Sequence, residues 1–220
     1  MTEPPLDPSA AAVLELLAAA GAPPLETLEP STARDLYAAM GGGPVDDTGL
    51  RVVQRDIAGV PCVVTRPDDD EVRPVLVWLH GGGWVIGSAA LSQPVVCGVA
   101  RTAGCVVVNV DYRLAPEHPF PAALHDVAGV IGSIRDGVLG VAADSGRVAI
   151  GGDSAGGNLS AVTAAEVPGL VHQVLVYPST DMTLSHDSLR RNGTGKLLTE
   201  SVMRWFRSLY LVDVEATDPR

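Results

Sequence analysis

Residues 150–158, IGGDSAGGN, place Ser154 between small residues directly after the apolar run 147–150, RVAI. A short β-branched run bounded by glycine is typical of a buried parallel strand, and the residues that follow Ser154 can form a helix. Gly152 and Gly156 permit the close backbone approach of a sharp strand-to-helix turn. Serine is common in glycine-rich loops, so the Gly-x-Ser-x-Gly match alone is weak. In this context it predicts a nucleophile at the carboxyl end of a sheet.

A second motif, His80-Gly81-Gly82-Gly83-Trp84, follows another buried-strand pattern at 74–79, PVLVWL. Three glycines after a strand could hold a phosphate, but the G-x-x-x-x-G-K-[ST] pattern is absent and the G-x-G-x-x-G spacing is missed by one residue. A loop of this type frees backbone N–H groups to converge on one point, as an oxyanion hole requires. Taken alone, the loop could equally be a plain flexible turn. Together with the serine turn it predicts acyl-transfer chemistry.

Three blocks of sequence carry a resemblance to a known family: HGGGWVIG at 80–87, VDYRLAPEHPFPAAL at 110–124 and GGDSAGGN at 151–158. In order and spacing they resemble the hormone-sensitive-lipase-like (bacterial family IV) esterases of the α/β-hydrolase fold. The resemblance covers nearly the whole chain. It implies an α/β fold with a mostly parallel sheet, helices on both faces and a small helical cap. It also implies a small-molecule ester of short or medium acyl length as the substrate, and no cofactor.

Composition agrees with one globular core. The chain has 220 residues, 46% of them hydrophobic, and a formal net charge of −11, which argues against nucleic acid and anionic membrane surfaces as partners. The amino terminus shows neither a signal peptide nor a membrane span, so the expected location is the cytoplasm. Cys62, Cys97 and Cys105 lie in apolar surroundings, as reduced core thiols do. The histidines lack metal-ligand spacing, and no metal is expected.

Hydrophobic periodicity predicts alternating strands and helices. Helices are expected at 8–20, 31–40, 121–135, 155–167 and 201–211, and strands at 50–56, 60–66, 74–79, 105–110, 147–151 and 171–177. We interpret 1–48 as an amino-terminal helical cap segment, 49–220 as an α/β-hydrolase core, and 198–211 as a second cap helix. The core is expected to be incomplete, with its last strands absent and 171–177 left as an exposed edge that favours self-association.

The resemblance and the turn mechanics assign site roles. Ser154 is the predicted nucleophile, and the backbone N–H of Ala155 is one oxyanion donor, as both the turn geometry and the family imply. The family implies Gly82 and Gly83 as further donors. Trp84, Trp205 and Phe206 are assigned to the substrate pocket, although the aromatic stripe of the last helix could equally be ordinary core packing. Structural rather than catalytic roles are expected for the following residues: His80, Asp111, Tyr112, Arg113, Glu117, His118 and Asp153.

The general base is the open question. In this fold the acid and the histidine follow the serine, but only His172 and His186 do so here, and the family's acid motif is absent. His172 opens a strand pattern and is expected to be a packing residue. Asp181 with His186 is a makeshift alternative that nothing in the sequence arranges. We therefore expect a carboxyl-terminally truncated esterase. The alternative is a non-catalytic small-molecule binder, as in the plant gibberellin receptors of the same superfamily.

Overall fold

The computed structural model describes residues 6–217 as a six-stranded sheet with helices on both faces. The helices are α1 (Pro8–Ala20), α2 (Pro30–Met40), α3 (Ala89–Ala103), α4 (Ala122–Arg135), α5 (Ala155–Glu166), α6 (Asp187–Asn192) and α7 (Glu200–Tyr210), with a 3₁₀ turn at Leu25–Thr27. The strands are β1 (Leu50–Ile57), β2 (Val60–Pro67), β3 (Arg73–Leu79), β4 (Val106–Val110), β5 (Ala143–Asp153) and β6 (Gln173–Val176).

The strand order β1-β2-β4-β3-β5-β6 confirms the predicted α/β-hydrolase fold. β1 with β2 and β2 with β4 are antiparallel, whereas β3 pairs in parallel with β4 and β5, and β5 in parallel with β6. Alternate residues of β3 enter two separate clusters. Val75 and Val77 pack with α4 and α5, while Leu76 and Trp78 pack with α3. Because β3 and β5 are parallel neighbours, the motifs that follow them meet at the same end of the sheet.

Most predicted elements are present within a few residues of their expected bounds, but α3 and α6 were not predicted. Pro94 and Gly98 interrupt the helical pattern of α3. Two signals in the sequence mark its ends. Ser88 accepts a hydrogen bond from the N–H of Leu91 (3.3 Å) as its N-cap, and Gly104 ends the helix in the left-handed conformation. α6 has six residues, too few for a hydrophobic period to show.

The two amino-terminal helices differ in how they attach to the body. In α2, Arg34 donates to the carbonyl oxygens of Val85 and Ala115, both at 2.8 Å, and pairs with Glu117 at 2.6 Å. The Arg34 guanidinium lowers the pKa of the Glu117 carboxyl to about 2. Glu117 is thus a structural residue that holds the amino-terminal segment, as expected for the 110–124 block.

α1 has no buried residue. By length and composition alone, the segment Pro8–Thr27 is apolar enough and long enough to cross a membrane. The continuous helix covers 13 residues. That is about 20 Å at 1.5 Å per residue, shorter than the roughly 30 Å of hydrocarbon in a bilayer.

β6 lies at the edge of the sheet, as predicted for 171–177, and it is poorly protected against pairing with a strand of another chain. Val174 and Leu175 are each 36% exposed, and the strand QVLV carries no charge. The opposite edge strand, β1, reads LRVVQRDI and carries three charged residues, which discourage pairing with another chain. A second copy of this chain is therefore expected to pair with β6 rather than with β1.

This difference predicts self-association through β6. Leu175→Lys is expected to shift concentrated protein toward monomer, because a charge on an edge strand opposes strand addition. Sedimentation velocity over a range of concentrations measures this. Val52→Lys on β1, where the side chain is similarly exposed, is the matched control and should leave association unchanged. A wild-type chain that stays monomeric at high concentration contradicts the prediction.

Candidate active site

Ser154 occupies a strained turn between β5 and α5. Its backbone has φ 53° and ψ −116°, a conformation that residues with side chains rarely adopt. Hydrogen bonds fix both sides of the residue: its N–H donates to Val176 O (2.9 Å), and its carbonyl accepts from Asn158 N (3.0 Å). The strained residue of the predicted turn is therefore the serine itself.

The two glycines of the serine motif are required by contact with β3. A Cβ on Gly152 or on Gly156 would overlap the carbonyl oxygen of Leu79, and on Gly152 it would also come within 2.6 Å of the Gly156 carbonyl carbon. Neither glycine has a positive φ, so space and not backbone conformation excludes a side chain. The close packing of α5 on β3 holds the Ser154 turn against the loop that follows β3.

That loop, residues 81–83, carries free backbone donors. Gly82 has φ 125° and Gly83 φ 58°, and the Gly82 carbonyl accepts from the N–H groups of Val85 (3.1 Å) and Ile86 (2.9 Å). No hydrogen bond within residues 6–217 engages the N–H of Gly82 or Gly83. At the start of α5, Ala155 N–H has no intrahelical partner because it lies in the first turn. The three expected donors are thus free of partners, two on the glycine loop and one in the first turn of α5.

Asp153 joins the serine turn to the glycine loop. Its Oδ1 accepts from the N–H of Gly81 at 3.1 Å. Burial raises the pKa of Asp153, and the hydrogen bond from Gly81 partly opposes that shift. The carboxyl group faces the loop and not the Ser154 hydroxyl, in agreement with its expected structural role.

His80 is a neutral, buried support for the loop. Its Nδ1 donates to the Gly81 carbonyl at 2.8 Å, which leaves Nε2 without a proton, and burial lowers its pKa. The ring stacks on Tyr112 with centroids 4.3 Å apart, and the Tyr112 hydroxyl donates to the His80 carbonyl at 2.7 Å. Arg113, in the same block, pairs with Asp126 at 2.7 Å. These contacts place the 110–124 block beneath the site as scaffold.

Ser154, Ala155 and Gly83 line one cavity of about 200 Å³ with mostly apolar walls. Predicted pocket residues Trp84 and Phe206 also line it. The remaining lining residues come from the chain after β6 and from α7: Tyr177, Pro178, Ser179, Met182, Leu184, Leu198, Met203 and Arg207. Those between 177 and 198 escaped prediction because most of them lie in an irregular segment with no periodic pattern, and Met203 and Arg207 because only the aromatic residues of the predicted helix at 201–211 were assigned to the pocket. Arg207 donates to the Met182 carbonyl (2.9 Å) and so ties this segment to α7.

α7 packs on the glycine loop through two aromatic contacts. The Phe206 ring lies against Gly83, where a Cβ would overlap it, and Tyr210 stacks on Trp84 with ring centroids 4.7 Å apart. Trp205, the third predicted pocket residue, is not among the residues that line the cavity; it contacts Phe206 at a centroid distance of 5.1 Å. Successive residues on a helix point about 100° apart, so Trp205 and Phe206 cannot share one face.

No histidine within residues 6–217 hydrogen-bonds to Ser154 or lines its cavity. His186 Nε2 lies 3.3 Å from Asp181 Oδ2, but His186 is 69% exposed and neither residue lines the cavity. Hydrogen bonds from Thr183 lower the pKa of Asp181. The expectation that His172 is a packing residue is wrong: it precedes β6 and is exposed, because β6 is an edge strand. Among these residues, no group of three or more His, Cys, Asp or Glu could hold a metal ion.

Comparisons with known proteins agree with this architecture. A family model described as the alpha/beta hydrolase fold matches residues 76–220. The chain is 40% identical to the carboxylic ester hydrolase LipN of Mycobacterium tuberculosis over 73% of its length and 46% of that relative. It is 32% identical to the ethyl acetate hydrolase of Pseudomonas putida, over 98% of this chain and 74% of that relative. A solved thermostable esterase from Pseudomonas putida ECU1011 matches 97% of this chain and 70% of its own, with a TM-score of 0.88 and 32% identity.

The fold and the sequence of this chain thus both identify it as an α/β hydrolase. The chain belongs to the α/β-hydrolase fold family, and the resemblance to the hormone-sensitive-lipase-like esterases is confirmed. It spans about half the length of several curated relatives, such as 46% of LipN and 47% of the carboxylesterase NlhH of Mycobacterium tuberculosis.

Proposed function

We propose that this chain carries the nucleophile and oxyanion hole of a carboxylic ester hydrolase. The observation that carries the proposal is the common cavity of Ser154, Ala155 and Gly83. An acyl carbonyl placed there meets the serine hydroxyl, and the backbone donors of Gly82, Gly83 and Ala155 stabilise the oxyanion that forms when Oγ attacks. Collapse of this tetrahedral intermediate breaks the ester C–O bond, so that the alcohol leaves with a proton and the acyl group stays on Ser154 Oγ. Water then attacks the acyl-serine carbonyl, the bond to Oγ breaks, and the acid leaves while Ser154 regains its proton.

The size of the cavity supports short acyl groups as substrates. At about 200 Å³ it is smaller than the roughly 300–1,000 Å³ of sites that hold drug-sized ligands. Met182, Leu198 and Phe206 give it apolar walls that favour an alkyl chain over a charged one. Esters of acids with two to four carbons fit these properties best.

The second candidate function is binding without turnover. The observation that favours it is the absence of a histidine at Ser154 within residues 6–217. A serine hydroxyl needs a base to accept its proton during attack. We propose that turnover requires an acid and a histidine that these residues do not bring to the site.

We also propose that the reaction takes place in the cytoplasm. Cys62, Cys97 and Cys105 are all buried free thiols, and burial raises the pKa of each of them. Free cysteines are usual in a reducing compartment.

Grafting tests the proposed function. Fusing the carboxyl-terminal segment of the Pseudomonas putida ethyl acetate hydrolase to this chain is expected to raise hydrolysis of p-nitrophenyl butyrate at least about a hundredfold, the lower range for an added general base. Ser154→Ala in the fusion should remove the gain. A fusion that folds by circular dichroism, binds the ester and gains no rate contradicts the esterase function and supports the binding alternative.

A further inference from the structure

The wall of the Ser154 cavity contains one charged side chain, that of Arg207. The other residues that line the cavity are apolar or uncharged, and no acidic residue within residues 6–217 lines it. The chain as a whole has 26 acidic residues against 15 lysines and arginines, so a cavity whose charge is positive runs against its composition. The proposed reaction at Ser154 gives this guanidinium no role. Arg207 is therefore a candidate for the residue that selects among substrates.

The Arg207 side chain is partly buried and is held through one of its nitrogens. Nη1 donates to the carbonyl oxygens of Met182 (2.9 Å) and Thr183 (3.5 Å). In the described part of the chain, no acceptor engages Nε or Nη2 and no carboxylate pairs with the guanidinium. Arg204, on the preceding turn of α7, is by contrast paired with Glu200. The Nε and Nη2 edge of a guanidinium binds a carboxylate through two parallel hydrogen bonds, so Arg207 keeps this binding edge available.

Arg207 and Phe206 contact the cavity from different sides of α7. Phe206 packs on the glycine loop at Gly83, whereas Arg207, about 100° further around the helix, lies beside the Met182 carbonyl. The two parts of an ester, acyl and alcohol, extend from its carbonyl in different directions. Since the apolar walls suit a short alkyl chain as the acyl part, the charged wall is left for the alcohol part.

The apolar walls also strengthen the attraction between Arg207 and an anion. Charges interact more strongly where water is partly excluded than on an open surface. A carboxylate that reaches Arg207 in this cavity meets no acidic side chain within residues 6–217 that would repel it. The cavity therefore favours a negatively charged ester over a neutral one of the same size.

We propose that Arg207 makes this site selective for esters that carry a carboxylate in their alcohol part, such as short-chain esters of hydroxy acids. Nε and Nη2 of Arg207 donate to the two carboxylate oxygens, while the ester carbonyl lies at Ser154 and the alkyl chain lies against the apolar walls. The proposal rests on the proposed esterase function for the position of the ester group. Its anion-binding part is tested by binding alone, without turnover.

Two probes with equal numbers of non-hydrogen atoms isolate the charge: 3-acetoxypropanoate and its neutral amide, 3-acetoxypropanamide. Binding is followed on chain 1–220 with ¹³C-labelled methionine methyl groups. Of the four methionines, Met182 and Met203 line the cavity, and the exposed Met40 is an internal reference outside it. Met182→Leu and Met203→Leu assign the two cavity resonances. We expect the carboxylate to shift both saturably, with a Kd at least about tenfold lower than that of the amide, the gain for a hydrogen bond to a charged group.

Arg207→Gln is expected to remove the preference for the carboxylate. The Kd of the carboxylate should rise at least about tenfold, whereas that of the amide should stay unchanged, because glutamine can still donate to the Met182 carbonyl. Unchanged amide binding also shows that this variant is folded. Arg204→Gln is the matched control: it removes an arginine of α7 that pairs with Glu200 outside the cavity, and it should change neither Kd.

Equal affinity of the wild-type chain for the two probes overturns the proposal. A carboxylate affinity that Arg207→Gln leaves unchanged, or the absence of a saturable shift at Met182 and Met203 with either probe, overturns it as well. Failure of the esterase function gives a different result. A fusion that does not hydrolyse p-nitrophenyl butyrate but retains the preference for the carboxylate contradicts the esterase function and leaves the anion site in place.

Discussion

Chain 1–220 alone is expected to hydrolyse p-nitrophenyl butyrate barely above the uncatalysed background. Ser154 is in the strained turn and the proposed oxyanion donors are free, but no histidine within residues 6–217 lines its cavity. Loss of a triad member typically costs about four powers of ten in rate, and what remains comes from the oxyanion hole and binding. A stopped assay of released p-nitrophenol against a buffer blank measures the difference.

The competing hypothesis is that Asp181 and His186 serve Ser154 as acid and base, since His186 Nε2 and Asp181 Oδ2 are 3.3 Å apart. If the unmodified chain turns over the ester at ordinary enzyme rates, and His186→Ala removes that activity, the pair serves Ser154 after all. His125→Ala is the matched control, because His125 is an exposed histidine of α4 outside the cavity. Activity that survives both substitutions would show that Ser154 does not depend on His186, and it would also contradict our expectation of an inactive chain.

Gly156→Ala is expected to lower the free energy of unfolding by about 3 kcal/mol, the upper range for overpacking a core. The added methyl group would overlap the Leu79 carbonyl oxygen, which is backbone of a central strand and cannot turn aside. α5 must then move away from β3, and the Ser154 turn must move with it. Urea unfolding followed by circular dichroism measures the loss.

Gly98→Ala is the matched control for that substitution. Gly98 is also a helical glycine, but a Cβ there meets nothing within 4 Å. Replacing it should raise stability by about 0.5–1 kcal/mol, because alanine loses less backbone entropy in a helix. Equal effects of the two substitutions would mean that α5 does not approach β3 as closely as the structure indicates.

The central part of this fold could be predicted because its signals are local. The strand, glycine and serine pattern at 150–158 and the glycines after β3 each specify a turn, and parallel neighbours bring the turns together. α3 could not be predicted from periodicity, since Pro94 and Gly98 break its pattern and tertiary packing on β2 and β4 stabilises it.

The cavity walls could be predicted only in part, for a different reason. Sequence placed Trp205 and Phe206 together in the pocket, but the rotation of α7 on the glycine loop selects Phe206 alone. Met182 and Leu184 reach the site through an irregular segment whose course depends on long-range contacts such as Arg207 with the Met182 carbonyl. A pattern within one segment contains no information about such a contact.

The packing of α7 on the glycine loop links two properties that many enzymes adjust separately. Phe206 rests on Gly83 and Tyr210 on Trp84, so the helix that forms the cavity wall also supports the loop of the proposed oxyanion donors. Any shift of α7 that admits a bulkier ester moves the amides that must meet the transition state. For the proposed esterase, widening the specificity by evolution or engineering is therefore coupled to the catalytic rate, and variants selected for larger substrates should first hydrolyse small ones more slowly.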